Sequence, residues 1–182
     1  MRTPGHENGH STASFRYSGT MVTLHWATVG LITAAWLSAQ IIDLFPRAIR
    51  APFTSIHIFL GALTGVVVLA RIVVRLWGTP RPEPEPGIAD LAARVVHLVL
   101  YALVIAAVGL GILNAWVRGA DVFGFFTFSS FTTDRDMRHL IGEFHELATN
   151  AILVLAAGHA MMALVHHFLL GDGVLRRMLP RG

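Results

Sequence analysis

The chain has 182 residues, enough for one domain; hydrophobic residues make up 54%, charged residues 14%, and the mean hydropathy is +0.60. That balance excludes an ordinary soluble domain and marks an integral membrane protein. All 14 basic residues are arginine, so the pI of about 10.5 fits a membrane surface rather than nucleic acid. The lack of cysteine excludes disulfides, cysteine-ligated iron–sulfur clusters and thioether-attached haem.

Residues 1–18 are polar and carry His6 and His10, the composition of a flexible tail. Domain structure is expected from residue 19 to residue 180. The first apolar segment runs from about Val22 to Leu44, with His25 near its start. It has no charge between Arg16 and Asp43, too long a run for a signal-peptide core. A short loop, FPRAIRAPF, leads to a second segment, Ala51 to Trp77, with His57 near its beginning and Gly61 and Gly65 following at helical spacing. A glycine stripe of that kind admits either a packed helix or a flat ligand close to the backbone. Arg71 and Arg75 close this segment one turn apart, placed to snorkel to the interface.

TPRPEPEPG, from Thr79 to Gly87, cannot be helical and reads as a stiff linker between two hairpins. The third segment, about Leu91 to Val117, contains His97 and Tyr101. A loop from Arg118 to Arg138, rich in Phe, Ser and Thr, is expected to cap one face of the bundle. The chain is organised around the stretch that follows, Arg138 to Leu170, in which Leu147 to Gly171 holds no Asp, Glu, Lys or Arg. A basic tail, GDGVLRRMLPRG, ends the sequence. The expected fold is therefore all-α: an integral membrane four-helix bundle of up-down topology.

Four spans put both termini on one side. That side carries nine arginines (Arg2, Arg16, Arg71, Arg75, Arg81, Arg94, Arg176, Arg177 and Arg181) against five opposite (Arg47, Arg50, Arg118, Arg135 and Arg138). The positive-inside rule then makes both termini, and the tail, cytoplasmic.

Ionisable side chains at bilayer depth are costly unless the protein claims them. His145 and His159 lie 14 residues apart, within roughly 40° of one helix face and about 21 Å apart along the axis. His25 and His57 repeat that offset. The first helix rises about 27 Å from His25 to Asp43, and the second recovers about 9 Å from Ala51 to His57, leaving about 18 Å. Matching depths pairs His25 with His159 near the cytoplasmic face, and His57 with His145 near the other. Two facing imidazoles suit the axial positions of a b-type haem in a bundle core; zinc fits less well, because it takes four ligands.

His97 begins the third helix at roughly the depth of His25 and competes for the place of either cytoplasmic-side ligand, His25 or His159. His166 lies on the His159 face nearer the cytoplasm, placed for a propionate or a head group. Arg71 and Arg75 sit near the same level, where guanidinium groups can pair propionates. His139 points about 120° away from His145, towards the outer surface.

HW (His25, Trp26), the H-x-x-x-G of His57 and Gly61, HE (His145, Glu146), GHAMMALVHHF from Gly158, and D-x-x-L-x-R-M-x-P from Asp172 to Pro180 together resemble the bacterial cytochrome b561 family. The resemblance covers roughly Ser18 to Pro180, nearly the whole chain. It implies a di-haem four-helix cytochrome of the bacterial inner membrane with His25, His57, His145 and His159 as ligands. Within the family the chain looks most like the short stand-alone members that take electrons from superoxide at the periplasmic face and reduce ubiquinone in the membrane. By that resemblance it is a superoxide:ubiquinone oxidoreductase, with His97, His166, Arg71 and Trp26 around the quinone. It departs from the superoxide-oxidising pattern at Gly142, where a lysine is expected; Arg135, Arg138 and His139 are the cations on offer to the donor. The alternative the resemblance leaves open is a cytochrome b subunit linking a periplasmic redox partner to the quinone pool. A haem-free bundle is the third reading.

Overall fold

The computed structural model describes residues 18–77, 87–171 and 175–179. His6, His10 and most of the TPRPEPEPG linker lie outside the described residues, as does part of the closing motif. Four long helices carry the fold: α1 (Gly19–Ile42), α2 (Ala51–Trp77), α3 (Ile88–Arg118) and α4 (Arg135–Val165). Each is long and apolar enough to cross a membrane. The expectation of a four-helix membrane bundle therefore holds.

Local chemistry sets the boundaries. The Ser18 hydroxyl caps α1 by accepting from the Met21 amide at 3.3 Å. The Asp134 carboxylate caps α4, accepting from the Asp136 and Met137 amides at 2.9 and 3.4 Å. Gly119, at φ 65°, ends α3 in the left-handed conformation that a side chain would resist. Between α1 and α2, Arg50 donates to the Asp43 carboxylate at 3.0 Å and to the Phe45 carbonyl at 2.8 Å, with Phe45 stacked on Phe53. α4 starts at Arg135, inside the stretch expected to be loop, and closes in one turn of π-helix, His166–Leu170.

Packing is hairpin by hairpin. α1 lies along α2 and α3 along α4, and the two hairpins meet through α2 and α3. A buried waist of Val68, Val104, Ala107, Ala148 and Ile152 joins them, with Ile32 and Tyr101 against it. Gly65 permits part of this closeness: a Cβ there would stand 3.0 Å from Val108 Cγ1. Gly61, one turn earlier, differs: a Cβ there would meet nothing within 4 Å.

The waist separates two ends. The terminal end holds the start of α1 and the close of α4, and there the Trp26 indole N–H donates to the Met178 carbonyl at 2.8 Å. The bond ties the HW pair to the closing motif across the whole sequence. The opposite, loop end is covered by a feature absent from the sequence reading, a small antiparallel hairpin of β1 (Asp121–Val122) and β2 (Phe126–Thr127). Phe123 and Gly124 both turn through positive φ at its tip, and the Asp121 carboxylate accepts from the Gly124 amide and the Thr127 hydroxyl, each at 2.7 Å. Ser55 of α2, 2% exposed, fastens it. Its hydroxyl donates to the Asp121 carbonyl at 3.0 Å and accepts from the Phe123 amide at 3.1 Å.

Replacing Ser55 by alanine leaves a donor and an acceptor of the hairpin without partners, at a cost of about 1–3 kcal/mol. The expected result is faster chymotryptic cleavage within residues 119–134 and a lower melting temperature in detergent. An unchanged cleavage rate would show that Ser55 does not hold the hairpin.

Candidate haem-binding sites

At the loop end, His57 from α2 and His145 from α4 bring their rings to a centroid distance of 6.1 Å, nearly perpendicular at 87°. Direct backbone contact between α2 and α4 is slight, so the imidazoles reach across a space the helices do not fill. Each ring is fixed from behind. His57 Nδ1 lies 2.9 Å from the Ala35 carbonyl and 3.2 Å from the Ser38 hydroxyl, which itself donates to Ala35 at 2.7 Å. His145 Nδ1 lies 2.9 Å from the Ala107 carbonyl. A carbonyl only accepts, so both Nδ1 atoms carry the proton and both Nε2 lone pairs are left to bind a metal.

These residues fit a bis-imidazole site. Metal–imidazole bonds of about 2.0 Å place two axial ring centroids roughly 6 Å apart, as here. Gly61, one turn from His57 on the face of buried Thr64 and Val68, faces open space where a Cβ would have room. Among the described residues no three His, Asp or Glu side chains are grouped so as to hold a metal ion by themselves. Sequence reasoning overlooked the seat of His145. A Cβ on Gly111 of α3 would stand 3.0 Å from its Cε1 and 3.4 Å from its Nδ1. The unused signal was a glycine in mid-helix, four residues beyond the carbonyl that anchors the ring.

At the terminal end three histidines gather instead of two. His97 meets the His159 ring at 5.0 Å, edge to face. His25 lies within electrostatic range of both, and all three lie within range of Arg71. His97 Nδ1 is anchored on its own helix, 2.6 Å from the Ala93 carbonyl, whereas His25 Nδ1 is buried with no hydrogen-bond partner among the described residues. The structure therefore brings His159 together with both sequence-derived candidates. The ring in contact with it is that of His97, while His25 packs edge-on against Trp26 at 5.6 Å.

Arg71, for which the sequence allows either a snorkelling anchor or a partner for propionates, is turned inward. It is 7% exposed and its guanidinium lies over the Tyr101 ring, 5.4 Å from the centroid. The reason is its position: Arg71 follows Thr64 and Val68 on the inward face of α2. Arg75, one turn on, is half-buried and within electrostatic range of His97. His166 is half-buried at the start of the π-helical turn.

The loop-end cations are dispersed. Arg138 turns back to donate to the Ser130 hydroxyl and the Thr132 carbonyl, His139 faces Glu143 at 3.4 Å, and Arg135 is exposed at the first turn of α4. Arg118, which the sequence reading left unassigned, lies against Gly142. A Cβ there would stand 3.2 Å from Arg118 Nη2.

Residues 16–181 match the family model for prokaryotic cytochrome b561. The chain is 32% identical over 171 residues to the probable superoxide oxidase CybB of Yersinia pestis, covering 91% of this chain and 97% of that protein. It is 30% identical to cytochrome b561 homolog 1 of Escherichia coli K12, over 91% of this chain and 98% of the relative. Cytochrome b562 of Cereibacter sphaeroides is 29% identical, over 91% and 96%.

Gly111→Val drives a side chain into the His145 ring and is expected to weaken haem retention by about 10- to 100-fold. Gly109→Val, where a Cβ meets nothing within 4 Å, should retain haem as the parent does. Haem per chain, read by absorbance after purification, checks this. Equal retention in both variants would remove the seat from Gly111.

Proposed function

The chain belongs to the prokaryotic cytochrome b561 family, and from that premise we propose that it carries electrons from superoxide at the periplasmic face to ubiquinone in the bacterial inner membrane. It is a multi-pass membrane electron-transfer cytochrome, and its family implies b-type haem. The observation that carries the finer reading is the pair of carbonyl-anchored imidazoles, His57 and His145, opposed across the inter-hairpin space with a second histidine group at the other end. The relative named a probable superoxide oxidase supports the donor.

In this reading the protein holds two haems, His57 and His145 binding one and His25 and His159 the other. Haem held by two imidazoles supplies a one-electron centre with no open position, suited to electron transfer rather than oxygen binding. Superoxide gives one electron and a quinone takes two, so two redox sites in one bundle match two donors to one acceptor. His57 and His145 fix their ligating nitrogens through the Ala35 and Ala107 carbonyls, and the waist keeps the two ends a constant distance apart. Buried Arg71, with Arg75 and His166, offsets carboxylate charge at the terminal end. His97, His166, Arg71 and Trp26 surround the quinone, and His166 relays protons to it. Arg135, Arg138 and His139 present positive charge to an anionic donor. Arginine bias assigns the terminal end, with both chain termini, to the cytoplasm.

Rapid mixing of the purified, oxidised protein with superoxide tests the donor: haem absorbance should shift to the reduced form at once, and added ubiquinone should reoxidise it. The double variant R135Q/R138Q should be reduced at least about tenfold more slowly at low salt. An unreactive parent protein would refute the superoxide assignment and favour a docked redox partner. For the ligands, His57→Ala and His145→Ala should each lose the same haem; loss of different haems would break the pairing.

A further inference from the structure

Arg118 occupies a distinctive place at the loop end. On α3 it shares a face with Ala107, Gly111 and Asn114, at intervals of four, three and four residues. Ala107 anchors the His145 ring, Gly111 seats it, and Arg118 stands two turns above Gly111, about 10 Å along the axis. On α4, Gly142 lies one turn before His145 and opens the gap into which the guanidinium fits. The side chain is exposed yet held. Its Nε donates to the Asn114 side-chain oxygen at 2.7 Å and its Nη2 to the Arg138 carbonyl at 3.3 Å. An arginine has five N–H donors, so three remain after these two bonds.

The neighbouring cations are differently engaged. Arg138 turns Nη2 back to the 130–132 loop with its Nε buried, His139 faces Glu143, and Arg135 stands exposed at the first turn of α4, away from the seat made by Gly142. A fixed positive charge with spare donors, at the water-facing mouth of the α3–α4 seam that runs down to His145, is a docking point for a small anion. We propose that Arg118, fixed by Asn114 and admitted by Gly142, is the positioning residue that receives the anionic electron donor above His145. The inference rests on superoxide being the donor and assigns the residue that draws it in.

The test uses purified, haem-loaded protein and superoxide, following haem reduction over a range of ionic strength. R118Q should keep its haem content and spectrum, lose roughly tenfold in second-order rate at low salt, and show a shallower salt dependence. R118K should recover part of the rate. G142V retains the charge but displaces it, and should also slow reduction with haem unchanged. Reduction by ubiquinol, a neutral donor, should be equal in all four proteins. If parent and R118Q react at equal rates with equal salt slopes, the assignment of Arg118 falls while the superoxide reading stands. If the parent itself does not react, that underlying reading fails. Should R118Q lose haem, the G142V rate decides, and a parental value there overturns the proposal.

Discussion

Two hydrogen bonds from imidazole to backbone carbonyl govern the rest of this molecule. His57 and His145 each direct Nδ1 at a carbonyl of a neighbouring helix, Ala35 of α1 and Ala107 of α3. Both bonds do more than satisfy a polar atom in an apolar bundle. They select the tautomer, aim the ring and leave Nε2 facing across the gap between hairpins. All four helices take part: α1 and α3 supply carbonyls, α2 and α4 supply rings. The site is a property of the assembled bundle, and no single span contains it.

The waist and the glycines follow from that demand. Rings can meet at 6.1 Å only if α2 and α4 keep their distance while α2 and α3 stay close. Val68, Val104, Ala107, Ala148 and Ile152 set the spacing in the middle, and Gly65 and Gly111 are missing side chains that let Val108 and the His145 ring settle. Much apolar surface remains outside this waist. In a bilayer such surface costs little, because lipid replaces the protein contacts a soluble core would need. The terminal end is built on another plan, with Arg71 drawn inward over Tyr101 beside three histidines.

Much of this was legible in the residues. Four apolar runs gave four helices, and the second span was bounded correctly at Ala51 and Trp77. Depth arithmetic on His25, His57, His145 and His159 also separated two levels, because helical rise is regular and the connecting loop is short. What escaped was whatever depended on rotation about an axis or on contacts distant in sequence. Arg71 was open to two readings, interfacial anchor or propionate partner, because its depth was readable and its facing was not. The hairpin at 121–127 was hidden because Ser55, 66 residues away from Asp121, holds it. Gly111 was passed over and Gly142 was noted only as the place of an expected lysine; each is explained by what sits in the space where its side chain would be. His97 was recognised as a rival at the terminal end, and its ring does reach His159.

The Trp26–Met178 bond closes a span of 152 residues, and this bears on biogenesis. Both histidine groups draw on α4, and the terminal clasp needs residues beyond it. Until the last span is made, neither end has its full set of rings, although the His57 and His97 rings already have their carbonyl partners within the first three helices. The rings of both ends therefore come together only once the final helix is in place.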